Sequence, residues 1–191
     1  MKKLILAIIA VFFFAAPVFA LDISDYFPVA VGNTWTFASG TGVVSDVITV
    51  RSSTPNSGGT IYLFESQFAG MTTARLYSIR NNRVLILGTR DGFGRHHENR
   101  LPLPVALAPP GDVGTFMSRN DNVQFSASRA SISFGGRTFN DVIVFEQVID
   151  GGFVTRRSYF ARGIGLVYET GQMGSGPTTV FRQLVDSNVS Q

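Results

Sequence analysis

Past residue 20 this chain never sustains apolar residues at helical spacing, and that absence constrains the fold more than any other feature. In its place come short runs rich in Val, Ile, Phe, Tyr and Thr, broken by Gly, Asn, Asp and Pro. β-Branched and aromatic side chains suit a pleated, half-buried surface, and the breakers supply turn conformations. The pattern predicts an all-β domain. Trp35 and Phe37 alternate with Thr34 and Thr36. Val44, Ile48 and Val50 share one side of the next strand, and Tyr62, Phe64 and Phe68 one side of the strand after that. Asn81-Asn82, Gly135-Gly136 and Asp150-Gly151-Gly152 each separate two such runs and read as tight hairpin turns.

Consecutive hairpins imply an antiparallel meander. Val84 to Leu87 and Val142 to Phe145 are apolar on both faces, which requires burial on both sides or an inner face lining a cavity. The expected architecture is a single strongly curved, mostly antiparallel meander sheet, a barrel or half-barrel. A two-sheet sandwich is the alternative. The stretch from Gly88 to Asn122 holds four prolines and should be largely irregular or extended. A faint echo crosses it. Pro28-Val-Ala-Val-Gly-Asn-Thr-Trp35 parallels Pro104-Val-Ala-Leu107 followed by Gly111-Asp112 and Gly114-Thr115-Phe116. The echo divides a single domain, 21–191, into candidate pseudo-repeat halves, 21–100 and 101–191.

The leader is distinct. Lys2 and Lys3 precede an apolar run from Leu4 to Phe14, Pro17 breaks it, and Val18-Phe19-Ala20 offers the small residues of a cleavage site. Residues 1–20 read as a secretory signal peptide, the run being shorter than a spanning helix needs. Cleavage after Ala20 leaves 171 residues, enough for one domain with its own core. The chain has no cysteine, which argues against lipid anchoring, disulfides and thiolate chemistry. Both lysines lie in the leader, so fourteen arginines face 13 acidic residues in the remainder, a net charge of about +1. That balance and the absence of a basic run disfavour a nucleic-acid partner. The expected location is periplasmic or extracellular, without a membrane span after cleavage and without a lipid anchor, and the expected state is a monomer.

Candidate chemistry is sparse. His96 and His97 are the only histidines, and neighbours on a strand point to opposite faces, so the pair cannot readily share a metal. No Gly-x-Ser-x-Gly elbow occurs, and Asp141, Glu146 and Glu169 fit surface or rim positions on strands as well as a paired-carboxylate site. The expectation is a protein that is not an enzyme, with no cofactor and no metal. Gly163 and Gly165 lie in Tyr159-Phe-Ala-Arg-Gly-Ile-Gly-Leu-Val-Tyr-Glu169. A phosphate cradle would lead into a helix, whereas this run continues as strand. The pair therefore reads as a structural bend that lets one long strand curl.

Several of these segments carry a family likeness. Asp25-Tyr-Phe-Pro-Val-Ala-Val-Gly-Asn-Thr-Trp-Thr-Phe37 resembles the opening "YFPL..G..W.Y" of a widespread group of secreted bacterial proteins of unknown function. Gly135 to Glu146 is similar to that group's "aGtF.dvl.v", Tyr159 to Glu169 to its "YYa.GvGlV.e", and Leu101-Pro-Leu-Pro104 to its mid-chain Leu-Pro-Leu. After Pro104 the sequence departs from the group's compact "vG.tW". The resemblance implies an exported all-β domain and brings no catalytic residues.

The leading expectation is an exported non-catalytic domain that holds an apolar or lipid-like small molecule among Trp35, Phe37, Tyr62, Phe64, Phe68 and Phe145. A solid core made of those rings is the plainer reading. The alternative is an envelope component that meets a protein partner through exposed Leu101, Leu103, Val105 and Leu107. A hydrolase using carboxylates or His96 and His97 stands last.

Overall fold

The structure is a computed structural model that describes residues 21–91, 93–99, 103–118 and 121–190. Residues 1–20, expected as a signal peptide, lie outside them, as do Arg100 and Leu101. The described chain is all-β, with thirteen strands in one antiparallel sheet. They are β1 (Thr34–Ala38), β2 (Val44–Asn56), β3 (Gly59–Phe68), β4 (Met71–Arg80), β5 (Arg83–Arg90), β6 (His96–Glu98), β7 (Val105–Leu107), β8 (Val113–Ser118), β9 (Asp121–Phe134), β10 (Arg137–Ile149), β11 (Val154–Ala161), β12 (Gly165–Met173) and β13 (Thr179–Asn188). The order across the sheet is β6-β5-β4-β3-β2-β1-β13-β12-β11-β10-β9-β8, with β7 paired to β5. The first and last strands meet in the middle, and the sheet curls without closing its hydrogen-bond ladder. The sandwich alternative is not realised.

The predicted hairpins form. Asn81 and Asn82 take φ of 50° and 56°, and Gly135 and Gly136 take 54° and 72°, the left-handed pair that suits the twist of a two-residue hairpin. The Gly88 to Asn122 stretch is more ordered than its composition implies, since it carries β6, β7 and β8. Gly163 and Gly165 correct the bend reading. Gly163 sits in the turn that joins β11 to β12 and Gly165 opens β12, with φ of 73° and 93°, so two strands meet there rather than one long strand bending. The Gly163 N–H donates to the Asp25 carbonyl, and the Trp35 Nε1–H donates to the Ile164 carbonyl at 2.5 Å.

Residues 103–112 form a strap between the two free edges. Leu107 and Val105 pair with Val84 and Leu85 of β5. At the other end the Gly111 N–H donates to Ala127 and the Ala127 N–H donates back to Asp112. Arg83 of β5 completes the bridge with a two-pronged pair to Asp112, at 2.6 and 2.7 Å. The same backbone motif occurs before β1: the Gly32 N–H donates to Val50, whose N–H donates to Asn33. Asn33 and Asp112 each also donate a backbone N–H three residues back, to Ala30 and Pro109. In this register Phe37 corresponds to Phe116, and Trp35 to Gly114.

The interior is aromatic on the side of a 3-10 turn (Ile23–Tyr26) that caps one end. Phe27, Phe64 and Tyr77 lie 4.9–5.2 Å apart between ring centres, and Trp35 stacks on Phe64 at 6.0 Å. Such pairs add about 0.5–1.5 kcal/mol each beyond burial. The cap is pinned by the Tyr26 hydroxyl, which donates to Asp141 at 2.7 Å, and by Arg162 on Asp25 at 2.7 Å.

Valine at position 163 must adopt a left-handed backbone, so Gly163→Val should cost about 1–3 kcal/mol, read as a lowered urea midpoint. An unchanged midpoint would remove the turn's structural role. Burial, and then the Asp141 carboxylate, push the Tyr26 hydroxyl up to about 12. The raised value stabilises the fold fully below the unfolded pKa near 10, and the gain is lost as pH rises from about 10 through 12. Unfolding measured across that window should show a loss on the order of 2 kcal/mol that Tyr26→Phe abolishes.

Candidate functional site

Side chains on one face of an antiparallel sheet keep company across the strands, so the register identifies what faces inward. Phe37 on β1 faces Asp46 on β2. Glu169 on β12 faces Arg182 on β13 and Ser158 on β11, and Ser158 faces Phe145 on β10. Arg156 faces Gln147. Polar residues thus occupy inner positions toward the end of the sheet that lies opposite the 3-10 cap.

They form one network. The Arg182 guanidinium reaches Asp46 at 2.5 Å and Glu169 at 3.3 Å. Arg156 takes the other oxygen of Glu169, and the Ser66 hydroxyl donates to the other oxygen of Asp46 at 2.5 Å. The side chains of Asp46 and Glu169 are only 3 and 4% exposed, against 20% for Arg182. Buried carboxylates persist only when paired and hydrogen-bonded, and here both oxygens of each are engaged. Arg182 also lies over the Phe37 ring, 5.9 Å from its centre.

Arg75 stands apart. It faces Phe64 across β3 and β4, which puts its Cβ on the inner face. Among the described residues no carboxylate lies within ion-pair distance of it. The Tyr77 hydroxyl is the first of the groups that raise its proton affinity, and Glu169 and Asp46 add to this while desolvation opposes it. Arg75 is exposed to solvent, although Phe64 opposite it and Tyr77 two residues on are buried.

Trp35, Phe37, Phe64 and Phe145 are buried, and Tyr62 is half-buried against the same core. Phe68 departs from expectation. It shares the inner face with Phe64, but it ends β3 at the open mouth and is exposed. Val105 and Leu107, expected as exposed anchors, are buried because the strap lays them against β5, and Leu103 is half-buried. His96 and His97 are exposed on β6, where His97 Nε2 lies 3.5 Å from Asp91. Among the described residues, no cluster of three or more His, Asp or Glu gathers as a metal site would require. Glu169, which the sequence fits as well to a surface or rim position as to a paired-carboxylate site, is buried. Sequence reasoning passed over Asp46, Arg75, Arg156 and Arg182 as site residues. The available signal was a charge in phase with apolar neighbours: Asp46 between Val44 and Ile48, and Arg182 between Val180 and Leu184.

No family model and no curated protein matches the chain. Among solved structures, a candidate exported protein with a YmcC-like fold from Bacteroides fragilis is similar, at 11% identity over 85% of this chain and 98% of that one, with a TM-score of 0.49. A candidate lipoprotein from Parabacteroides distasonis is similar at 10% identity over the same shares, with a TM-score of 0.48.

Removing Arg182 strands the buried Asp46 carboxylate without a cation, whereas Glu169 keeps Arg156. Arg182→Met should therefore cost about 3–5 kcal/mol in denaturant unfolding, and Asp46→Asn in the same chain should recover part of the loss.

Proposed function

We propose that the protein is an exported, non-catalytic binding domain whose ligand is an anionic amphiphile with its head group at Arg75. The observation that carries this reading is an exposed arginine, free of any carboxylate partner among the described residues, on the inner face of β4 opposite Phe64. A planar, permanently charged donor fork suits a phosphate or carboxylate head group. The aromatic side chains are spent on one another, so the space open to a ligand is the charged mouth rather than the aromatic core. The inner charges, Arg75, Arg156 and Arg182 against Asp46 and Glu169, sum to one positive charge, and an incoming anion balances it.

A non-catalytic role is supported by the state of the buried acids. Asp46 and Glu169 have both oxygens held by arginine or serine, which leaves neither placed as a general base or nucleophile. Export is supported by the leader of residues 1–20 and by the resemblance to a secreted group.

Octyl phosphate tests the reading by calorimetric titration. Loss of a charge-assisted contact is worth about 1.5–3 kcal/mol, so Arg75→Gln should bind about ten- to a hundredfold more weakly while its unfolding midpoint stays put. Equal affinity of parent and variant would overturn the reading.

A further inference from the structure

Turns are ordinarily built from polar residues and glycine, since their backbones lie in water. At the capped end the hairpin turns obey the rule, with Ser57-Gly58, Asn81-Asn82 and Arg162-Gly163, and Val31, before β1, is the exposed apolar residue there. At the opposite end the turns do not. Val43 in the β1–β2 turn, Phe68 and Met71 flanking the β3–β4 turn, Phe93 between β5 and β6, Phe153 before β11 and Met173 at the end of β12 are all exposed. Phe93 is 89% exposed, which no packing requirement of this fold explains. These turns are neighbours around the mouth. The Gly174 N–H donates to the Phe153 carbonyl, the Gly40 N–H donates to Val180, and a groove of about 430 Å³ joins Val44 and Asp46 to Met71.

We infer that this apolar rim seats the mouth of the sheet on a lipid surface containing anionic lipids. The inference rests on the head-group reading of Arg75 and extends it from one ligand to the surface that presents it. Charge complementarity selects the occupant. Phe68 pairs with Met71 at the rim, Ser66 with Thr73 one same-face step inward, and Phe64 with Arg75 one step further. An apolar collar with a cation two steps inside matches a leaflet, whose acyl boundary meets the collar while an anionic head group enters. Shallow insertion of several apolar side chains, joined to attraction for anionic lipid, is how interfacial proteins hold a membrane.

The test is co-sedimentation of the chain from Leu21 onward with large unilamellar vesicles. One set is phosphatidylethanolamine with phosphatidylglycerol, the other phosphatidylcholine alone. The parent should bind the anionic set, with a partition at least about tenfold above that on phosphatidylcholine. The triple variant Phe93→Ser, Phe153→Ser and Met173→Ser should lose about tenfold or more on anionic vesicles while keeping the parent's affinity for octyl phosphate. Because these side chains are exposed, its unfolding midpoint should match the parent's. No sedimentation of the parent, or equal sedimentation of the rim variant, overturns the inference. Failure of the head-group reading looks different: octyl phosphate binding then becomes indifferent to Arg75→Gln, whatever the vesicles show.

Discussion

Everything in this fold hangs on the ladder between β1 and β13. Each half of the chain is a run of hairpins that could exist as a separate ribbon, and only the pairing of Thr34–Ala38 with the last strand makes them one sheet. That junction is locked twice. The backbone ladder spans it, and the Arg182–Asp46 pair arches over Phe37 from β13 to β2. An ion pair of this kind repays its desolvation only with good geometry and satisfied lone pairs, and Ser66 and Arg156 supply the remaining partners. The strap from β5 to β9 then does covalently, with residues 103–112, what the missing ladder between the outer edges does not do.

The repeated lead-in deepens this view. Gly32-Asn33 and Gly111-Asp112 make the same backbone hydrogen bonds to the second strand of their own half. The sheet order, β6 back to β1 followed by β13 back to β8, places the second half beside the first in the same sense. The halves are not interchangeable, however. Trp35 fills the interior at the place where the second half has Gly114, where an added Cβ would come within 2.8 Å of the Phe125 ring. One half thus contributes bulk and the other room, as a curled sheet with a single shared interior requires.

Much of the architecture was legible in the residues. Period-two alternation marked Trp35 and Phe37 as inward, and Asn81-Asn82 and Gly135-Gly136 announced their turns because few other residues accept a left-handed backbone. The functional end was not. Phe68 carries the same alternation signal as Phe64, and only its distance from the cap leaves it exposed. Leu107 sits in a proline-rich stretch that looked solvated, and its burial depends on pairing with Val84 of β5, which is distant in sequence. Arg182 and Asp46 are separated by 136 positions, and no local pattern says they meet.

The sequence by itself determined the strands, their turns, the inward faces and the antiparallel class, because each follows from near-neighbour sterics and side-chain periodicity. Tertiary structure alone decided which turns gather at one rim, which charges neutralise each other inside, and which arginine is left for something else. Those outcomes depend on how far the sheet curls and on where its two ends meet. Curvature is a sum over many strands, and no single segment encodes it.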